Sequence, residues 1–346
     1  MLTLVLVFLS LFWVPGELHY VITETYSFEV EEAAPVFLAV FLPTSGVYQH
    51  VSEPDISWSG AWDIRSEGRL DVLFFELALE AEQIEKAVIQ YQVNLFQGKA
   101  GWIGDPITSY DLASTEVIQS DHPEIVTKAH ALAGSREPQG AARQIFNFTY
   151  RHLDWPKGNR TDPDLSALSA FQSGVGACTE HANLMTALCR AADIPAHTIS
   201  GLAMPELIPF IPVSKTWNHP AGAHAWVEFH ADGVWQMADP SWSDKFYKRD
   251  LFGWTDGKHL AYDTALHETQ VYETLLATAE DQGGWIAAMS APMHFVAWSD
   301  MEAESMTFTP TVSVRKTWDA RLLMAVSVII IMVVMNWLIE VDRKRN

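Results

Sequence analysis

The stretch Gly174-Val175-Gly176-Ala177-Cys178, which runs directly into Thr179 to Ala192, decides the fold. Apolar side chains recur between 179 and 192 at helical spacing, and the glycine-rich turn predicts that the helix begins at or near Cys178. At a helix N-terminus, unpaired backbone amides and the positive end of the helix dipole favour a thiolate, which is the nucleophilic form of cysteine. The sequence therefore predicts an activated thiol at position 178.

Two strands farther along the chain supply a histidine and an aspartate. In the strand that begins at His224, side chains alternate between faces, so His224 and Trp226 lie on the same face. Asp232-Gly233 is a strong signal for a two-residue hairpin, and its register places Trp226 opposite Asp239. His224 and Asp239 are then diagonal neighbours about 7–8 Å apart at the backbone, a gap that two side chains can bridge. The hairpin predicts a hydrogen bond between them.

These residues resemble the transglutaminase-like superfamily, whose members carry Cys, His and Asp in this order on a papain-like core. The matching stretches are GACTEHANLMTALCRAADIPAHTISG, HAWVEFHADGVWQMADPSW and, more loosely, FGWTDGKHL, all between residues 122 and 263. One departure is Asp193, where members commonly have glycine before Ile-Pro. Because the family includes cross-linkers, amidases, proteases and members without catalysis, the resemblance constrains the chemistry better than the substrate.

The resemblance implies a role for each candidate residue. Cys178 attacks an amide carbonyl, His224 transfers the proton, and Asp239 holds His224 in the useful tautomer. Gln172 lies six residues before the cysteine, at the spacing of the oxyanion glutamine of papain-like proteases, and is the oxyanion candidate together with the Cys178 amide. A loop cap is the alternative role for Gln172. Trp226 is a site-lining candidate that shields the His224–Asp239 bond from water, with ordinary core packing as the alternative.

The second cysteine and a rival metal site complete the analysis of the motif. Cys189 lies on the same predicted helix about 16 Å from Cys178, too far for a disulfide, and we expect it to be buried and inert. The rival is a zinc site formed by Cys178, His181, His224 and Asp239. We expect no metal and no cofactor. His181 lies one helical turn beyond Cys178 and points in a different direction, and the chain has neither a Cys-x-x-Cys motif nor a His-rich tract that could supply further ligands.

The composition of the chain limits the size of the core, the number of globular units and the kinds of partner that suit this site. The chain has 346 residues, 49% hydrophobic content, 14 Trp and a formal net charge of −21. It can bury a sizeable core and form two globular units. An acidic surface disfavours nucleic acid and anionic lipid as partners and favours neutral or cationic substrates.

The two ends of the chain indicate a membrane. Leu2 to Val14 is an apolar run of the size of a signal-peptide core, which predicts a signal peptide over 1–18. The eighteen residues 322–339 include only Ser327 and Asn336 as polar residues, and their helix is about 27 Å long, enough to cross the lipid. A buried core helix is the alternative. We expect a single-pass protein of the cell membrane, anchored in lipid through 322–339, with its catalytic domain outside the cytoplasm.

The remaining segments complete a prediction of an α+β fold. Four predicted strands form a small N-terminal β-sandwich over 19–110, a transglutaminase-like catalytic domain follows over 111–314, and 315–346 hold the transmembrane helix with a basic tail. The predicted strands are Tyr20 to Glu29, Val36 to Leu42, Arg69 to Leu79 and Lys86 to Phe96. Helices are predicted over Glu124 to Ala133 and Gln139 to His152, with prolines near their starts.

From these features we expect a membrane-tethered thiol acyl-transfer enzyme that acts on the amide bonds of peptides or proteins. Hydrolysis of the thioester by water would make it a protease or amidase. Capture of the thioester by a lysine amine would make it a cross-linking transglutaminase. A surface binding module that keeps the fold without catalysis is the non-enzymatic alternative.

Overall fold

The computed structural model describes residues 16–31, 33–67, 70–99, 101–102, 106–157, 164–204, 214–218, 222–243, 250–264, 285–289, 294–299, 306–317, 330–335 and 337. The predicted signal peptide, 1–18, lies almost entirely outside these residues. Of the predicted transmembrane segment, 322–339, only 330–335 and 337 are described, and they are helical with exposed side chains. Across the described part of the chain, no helix has both the length and the apolar character needed to cross a membrane.

The described chain contains seventeen strands, four α-helices and one 3₁₀ helix. The first strands are β1 (Glu17–Val30), β2 (Ala34–Leu42), β3 (Gln49–Val51), β4 (Asp55–Ser57), β5 (Trp62–Glu67), β6 (Leu70–Leu79), β7 (Ile84–Lys99) and β8 (Gly101–Trp102). The 3₁₀ helix (Ser109–Leu112) precedes α1 (Pro123–Ala133), α2 (Pro138–His152), α3 (Ala167–Ser173) and α4 (Cys178–Arg190). The remaining strands are β9 (Ala196–Ala203), β10 (Ser214–Asn218), β11 (Ala223–Ala231), β12 (Val234–Ala238), β13 (Trp254–Asp256), β14 (His259–Thr264), β15 (Trp285–Met289), β16 (His294–Ser299) and β17 (Met306–Lys316).

Two antiparallel sheets hold the N-terminal strands, and all four predicted strands are present. One sheet has the strand order β10-β17-β1-β7-β13, and the other has the order β15-β16-β2-β6-β5. In β1, every second side chain is buried, as expected for a strand with one face on a core. Buried side chains from both sheets belong to one hydrophobic cluster, which includes Ile22, Phe28, Leu38, Leu73 and Ile89.

The C-terminal part of the chain completes these sheets. Strand β17 pairs with β1 over eleven residues, from the Tyr20–Lys316 pair to the Val30–Met306 pair. Strand β16 pairs with β2, and β13 pairs with β7. The N-terminal sheets are therefore not built from 19–110 alone, because strands beyond residue 250 are hydrogen-bonded into them.

The central layer that carries the motif residues is a third sheet with the strand order β14-β9-β11-β12-β8. Helix α4 packs against β11 and β9, and the side chains from Glu180 to Arg190 are all buried. A second hydrophobic cluster joins α4 to α1 and α2 through residues such as Ile125, Ile145 and Leu188. Pro123 and Pro138 occupy the first turns of α1 and α2, so the two predicted helices are confirmed.

Strand β14 connects the central sheet to the N-terminal sheets. The amide of Gln49 both donates to the Ala261 carbonyl and accepts from the Ala261 N–H, each at 2.8 Å. The hydroxyl of Tyr262 donates to the buried carboxylate of Glu24 at 2.7 Å, and Tyr26 and Tyr91 donate to the same carboxylate. Burial raises the pKa of Glu24 although these hydrogen bonds act to lower it. The three hydroxyls offset the cost of burying the carboxylate.

A tight contact at Gly201 yields a stability prediction. A Cβ atom at this position would lie 2.2 Å from the Leu260 carbonyl oxygen and 2.5 Å from the Trp226 ring, so both β14 and Trp226 would have to shift relative to Gly201. We expect Gly201→Ala to lower the free energy of unfolding by about 1–3 kcal/mol, measured by urea denaturation. Gly46→Ala is the matched control, because an added Cβ there meets nothing within 4 Å. An unchanged urea midpoint for Gly201→Ala would contradict the close approach of these strands.

Candidate active site

Cys178 is the first residue of α4, as the sequence predicts. The loop before it is fixed by two backbone hydrogen bonds with Asp154, one to the Gly174 carbonyl at 2.8 Å and one from the Gly176 N–H at 3.0 Å. Gly174 has a φ of +66°, which glycine adopts without strain. The Glu180 carboxylate accepts the N–H of Ala177 at 3.0 Å. The turn that precedes the thiol is therefore fixed by hydrogen bonds to the Asp154 backbone and to the Glu180 carboxylate.

The Cys178 thiol is partly exposed and is hydrogen-bonded to the His224 side chain and to the backbone of Ala225. Burial acts to raise the pKa of this thiol. The hydrogen bond and positive charge of His224 outweigh that effect, and the pKa of Cys178 lies below its ordinary value. The site therefore favours the thiolate.

His224 and Asp239 form the hydrogen bond that the hairpin register predicts. The ladder runs from Ala231–Val234 to Val227–Ala238, and Asp239 is the first residue after β12. His224 Nε2 lies 2.8 Å from Asp239 Oδ2. Because Nε2 is directed at Asp239, Nδ1 is the ring nitrogen left for the thiol. Burial lowers the pKa of His224, but the Asp239 carboxylate more than compensates and raises that pKa to about 10.

Asp239 is fully buried and receives five hydrogen-bond contacts. Oδ1 accepts from the backbone N–H of Ser241 at 2.8 Å, from the Ser241 hydroxyl at 2.7 Å and from the backbone N–H of Trp242 at 3.0 Å. Oδ2 faces His224 and a second imidazole, that of His259, at 3.0 Å. Although burial acts to raise the pKa of Asp239, its two histidine partners hold the pKa well below its usual range. Asp239 is an ionised acceptor with a fixed orientation.

His259 is the site residue to which the sequence analysis gave no role. It begins β14, and its side chain is fully buried between Asp239 and Asp256, with Nδ1 3.1 Å from Asp256 Oδ1. The available signals were its place in the looser third family stretch and the Asp256-to-His259 spacing of three. Neither signal shows that β14 lies beside the strands of His224 and Asp239, because that pairing is non-local.

The rival zinc site would lie at the same place. Within the part of the chain that the structure describes, His224, Asp239 and His259 form the one group of potential metal ligands that lie close together. Both imidazoles are already hydrogen-bonded to Asp239 Oδ2. His181, which the rival zinc site would require, has Nδ1 2.8 Å from the Ala177 carbonyl oxygen. Of the residues of the rival zinc site, the structure brings Cys178, His224 and Asp239 into one hydrogen-bonded set.

Gln172 does not lie where an oxyanion donor is needed. It is an exposed residue of α3, and its Nε2 donates to Glu124 Oε1 on α1 at 2.9 Å. The spacing of six from Cys178 matches the papain pattern, but the hydrogen bond to Glu124 directs the Gln172 amide to α1. The remaining oxyanion donors are the backbone N–H groups of the first turn of α4, at Cys178 itself, which have no partner within the helix.

Aromatic rings enclose the two imidazoles. Trp226, the predicted site-lining residue, is fully buried, with its ring centroid 6.0 Å from that of His224 and 5.0 Å from that of His259. Trp242 lies 4.9 Å from His224 and 5.0 Å from His259. These rings exclude water from the hydrogen bonds to Asp239, which strengthens them electrostatically.

Comparisons with known proteins identify one family model and several solved structures to which this chain is similar. Residues 126–240 match the family model of the transglutaminase-like superfamily. Among solved structures, the chain is similar to a presumptive cysteine protease from Cytophaga hutchinsonii, with a TM-score of 0.52 and 15% identity, over 86% of this chain and 100% of that chain. The periplasmic domain of TgpA from Pseudomonas aeruginosa aligns with a TM-score of 0.32 and 21% identity, over 61% of this chain and 88% of that chain. A comparison with curated proteins gave no match.

The two cysteines should differ sharply in reactivity. A free thiol is only about 3% ionised at pH 7, so the lowered pKa of Cys178 should make it alkylate several-fold faster than a free thiol. Cys189 is buried in the core, and burial raises its pKa to about 12, so it should react only after unfolding. Mass spectrometry after brief iodoacetamide treatment measures both, with Cys178→Ser as the control. Labelling of Cys189 before Cys178 would reverse the assignment.

Proposed function

We propose that this chain, whose residues 126–240 match the family model of the transglutaminase-like superfamily, is a thiol acyl-transfer enzyme that hydrolyses amide bonds in peptides or proteins. One observation carries the proposal. Cys178 stands at the start of a helix and is hydrogen-bonded to His224, whose other ring nitrogen is bonded to a buried, ionised Asp239. This is the arrangement of a nucleophile, its base and an orienting carboxylate.

The first half of the reaction forms a thioester. His224 Nδ1 holds the proton of the Cys178 thiol, and the thiolate attacks the carbonyl carbon of the amide while the carbonyl π electrons move to oxygen. The backbone N–H groups at the start of α4 stabilise that oxyanion. His224 then gives its proton to the amide nitrogen, the C–N bond breaks, and the amine leaves.

The second half of the reaction resolves the thioester. Neutral His224 takes a proton from water, the resulting hydroxide attacks the thioester carbon, and the C–S bond breaks. The products are a carboxylic acid and the Cys178 thiolate paired with protonated His224. We propose water as the acceptor because the sequence resembles none of the additional domains or calcium sites of animal cross-linking enzymes. A lysine amine at the same step would give an isopeptide bond instead.

Three variants test the triad on a library of peptide amides. Cys178→Ala should abolish cleavage, because no other nucleophile is placed at the helix start. Asp239→Asn should lower kcat/KM by about 10²- to 10⁴-fold, since His224 loses the charge that holds its tautomer. Cys189→Ala is the matched control and should retain the wild-type rate.

The same assay separates hydrolysis from cross-linking. Mass spectrometry of reactions that contain an excess of a primary amine reports whether the acyl group ends on water or on nitrogen. A free carboxylic acid as the main product supports the hydrolase, and a dominant amide product would replace it with a transferase. Full activity in Cys178→Ala would remove the triad proposal altogether.

We further propose that the enzyme is tethered to the cell membrane with its catalytic domain outside the cytoplasm. The apolar run at 322–339 supports an anchor, and exposed apolar side chains on the helical residues 330–335 are consistent with a lipid-facing surface. The N-terminal apolar segment supports export. The N-terminal sheets then serve as a β-sandwich that buttresses the catalytic core.

A topology experiment tests the tether. Protease added to intact cells should remove the domain that contains Cys178 and leave the anchor and its Arg343-Lys344-Arg345 tail protected, as detected with a tag at the C-terminus. Permeabilised cells are the control, because both parts should then be digested. A digested tail together with a protected catalytic domain would place the enzyme on the cytoplasmic side.

A further inference from the structure

His259 lies between two carboxylates, one on each of its ring nitrogens. Nε2 is 3.0 Å from Asp239 Oδ2, and Nδ1 is 3.1 Å from Asp256 Oδ1. The His259 side chain and Asp239 are fully buried, and Asp256 is mostly buried. Water therefore cannot stand in for either hydrogen bond.

The number of N–H groups that the two carboxylates require determines the charge of the His259 ring. A neutral imidazole carries one N–H, so it can donate to only one of the two carboxylates. The other ring nitrogen would then point its lone pair at a carboxylate oxygen, a repulsive contact that burial makes more costly. Although burial opposes the change, the pKa values of Asp239 and Asp256 are both lowered by their histidine partners, so both carboxylates are ionised and neither donates an O–H to the ring. Only the imidazolium form, with an N–H on both nitrogens, then satisfies both contacts. The pair of carboxylates also raises the pKa of His259, although burial opposes them.

The groups that face His259 come from every element packed around it. Asp239 follows β12, and Asp256 ends β13. His224, on β11, has its ring centroid 5.3 Å from that of His259. Lys258 precedes His259 and interacts with Asp256. Trp226 and Trp242 close the remaining sides with edge-on rings. Two carboxylates therefore favour the protonated form of His259, and one neighbouring imidazole and one lysine oppose it.

We infer that His259 is a permanently protonated positioning residue that, through Asp239, limits how tightly His224 holds its proton. The inference rests on the proposed function and deepens it. Asp239 Oδ2 divides its attraction between two imidazolium-type donors, so it binds the His224 proton less strongly than it would alone. This matters for hydrolysis, because His224 must become neutral again to take a proton from water at the thioester step.

The positive charge of His259 determines the direction in which its loss changes the pKa values of His224 and Cys178. Replacing the His259 cation by a neutral side chain makes the potential at both His224 and Cys178 more negative, and both groups then hold their protons more tightly. The ring centroids of His224 and His259 are 5.3 Å apart, and a unit charge at that distance in an effective dielectric constant of about 20 shifts the pKa of His224 by about two units. Cys178 contacts the other ring nitrogen of His224, so the shift at the thiol should have the same sign and be smaller. The pH at which Cys178 becomes reactive should rise accordingly.

The test uses His259→Gln in the full-length chain. Glutamine keeps two N–H donors for the carboxylates but removes the charge. The rate of Cys178 alkylation by iodoacetamide, followed by mass spectrometry from pH 4 to 10, should show a half-maximum at higher pH than in the wild type, by up to about two pH units. Peptide cleavage should show a larger loss in kcat than in kcat/KM, with accumulation of the thioester detectable by mass spectrometry.

His197→Gln is the matched control. His197 is buried on β9 and likewise lies between two carboxylates, with Asp111 at 3.0 Å and Glu228 at 3.2 Å. Loss of His197 should lower the unfolding temperature without moving the alkylation curve, because its carboxylates do not contact the triad. If His259→Gln loses stability but its curve of Cys178 alkylation rate against pH coincides with the wild-type curve, His259 is only structural and the inference is overturned.

A second measurement requires no variant. Nitrogen NMR of the wild-type chain with ¹⁵N-labelled histidine should show both His259 ring nitrogens protonated at pH 8, assigned through contacts to the Trp226 and Trp242 rings. One unprotonated His259 nitrogen at that pH would overturn the inference. The two proposals also fail separately. A wild-type Cys178 no more reactive than a free thiol removes the proposed function, whereas an activated Cys178 with an unshifted variant removes only the role of His259.

Discussion

The interaction on which the site depends is the buried carboxylate of Asp239. Burying a negative charge is costly unless hydrogen bonds and opposite charge replace the lost water. Here β11 and β14 each supply an imidazole, and the loop after β12 supplies the donors of Ser241 and Trp242. Removing any one element leaves a buried charge undercompensated. The carboxylate therefore requires that these strands be held in place relative to one another before the thiol of Cys178 can be activated.

Strand β14 links the surroundings of Asp239 to the rest of the molecule. At its start His259 contacts Asp239, and farther along Tyr262 contacts the buried Glu24 of β1. Gly201 allows the close approach of β14 and Trp226, since any larger side chain would collide with both. The N-terminal sheets thus contact the same strand that completes the candidate active site. Their packing and the orientation of the His224 imidazole are physically connected.

The central sheet contains two histidines that each bridge a pair of carboxylates, and only one is part of the candidate site. His197 joins Asp111 to Glu228, and Tyr48, which immediately precedes β3, donates to Glu228. This second bridge ties the 3₁₀ helix, β9 and β11 together. Its carboxylates face no nucleophile, whereas Asp239 faces His224 and through it Cys178. The same local chemistry therefore occurs twice in this sheet, and the two places differ in their neighbours.

The sequence by itself determined the features that depend on local pattern. Helical spacing after a glycine-rich turn predicted the start of α4 at Cys178, and the Asp232-Gly233 turn fixed the register that brings His224 to Asp239. Period-two alternation located the N-terminal strands. Tertiary structure alone decided that β17 and β16 complete the N-terminal sheets, that the Gln172 amide faces Glu124, and that His259 bridges two carboxylates. Each of these depends on strand pairing or helix packing between distant segments, which leaves no periodic or turn signal in the sequence around the residues concerned.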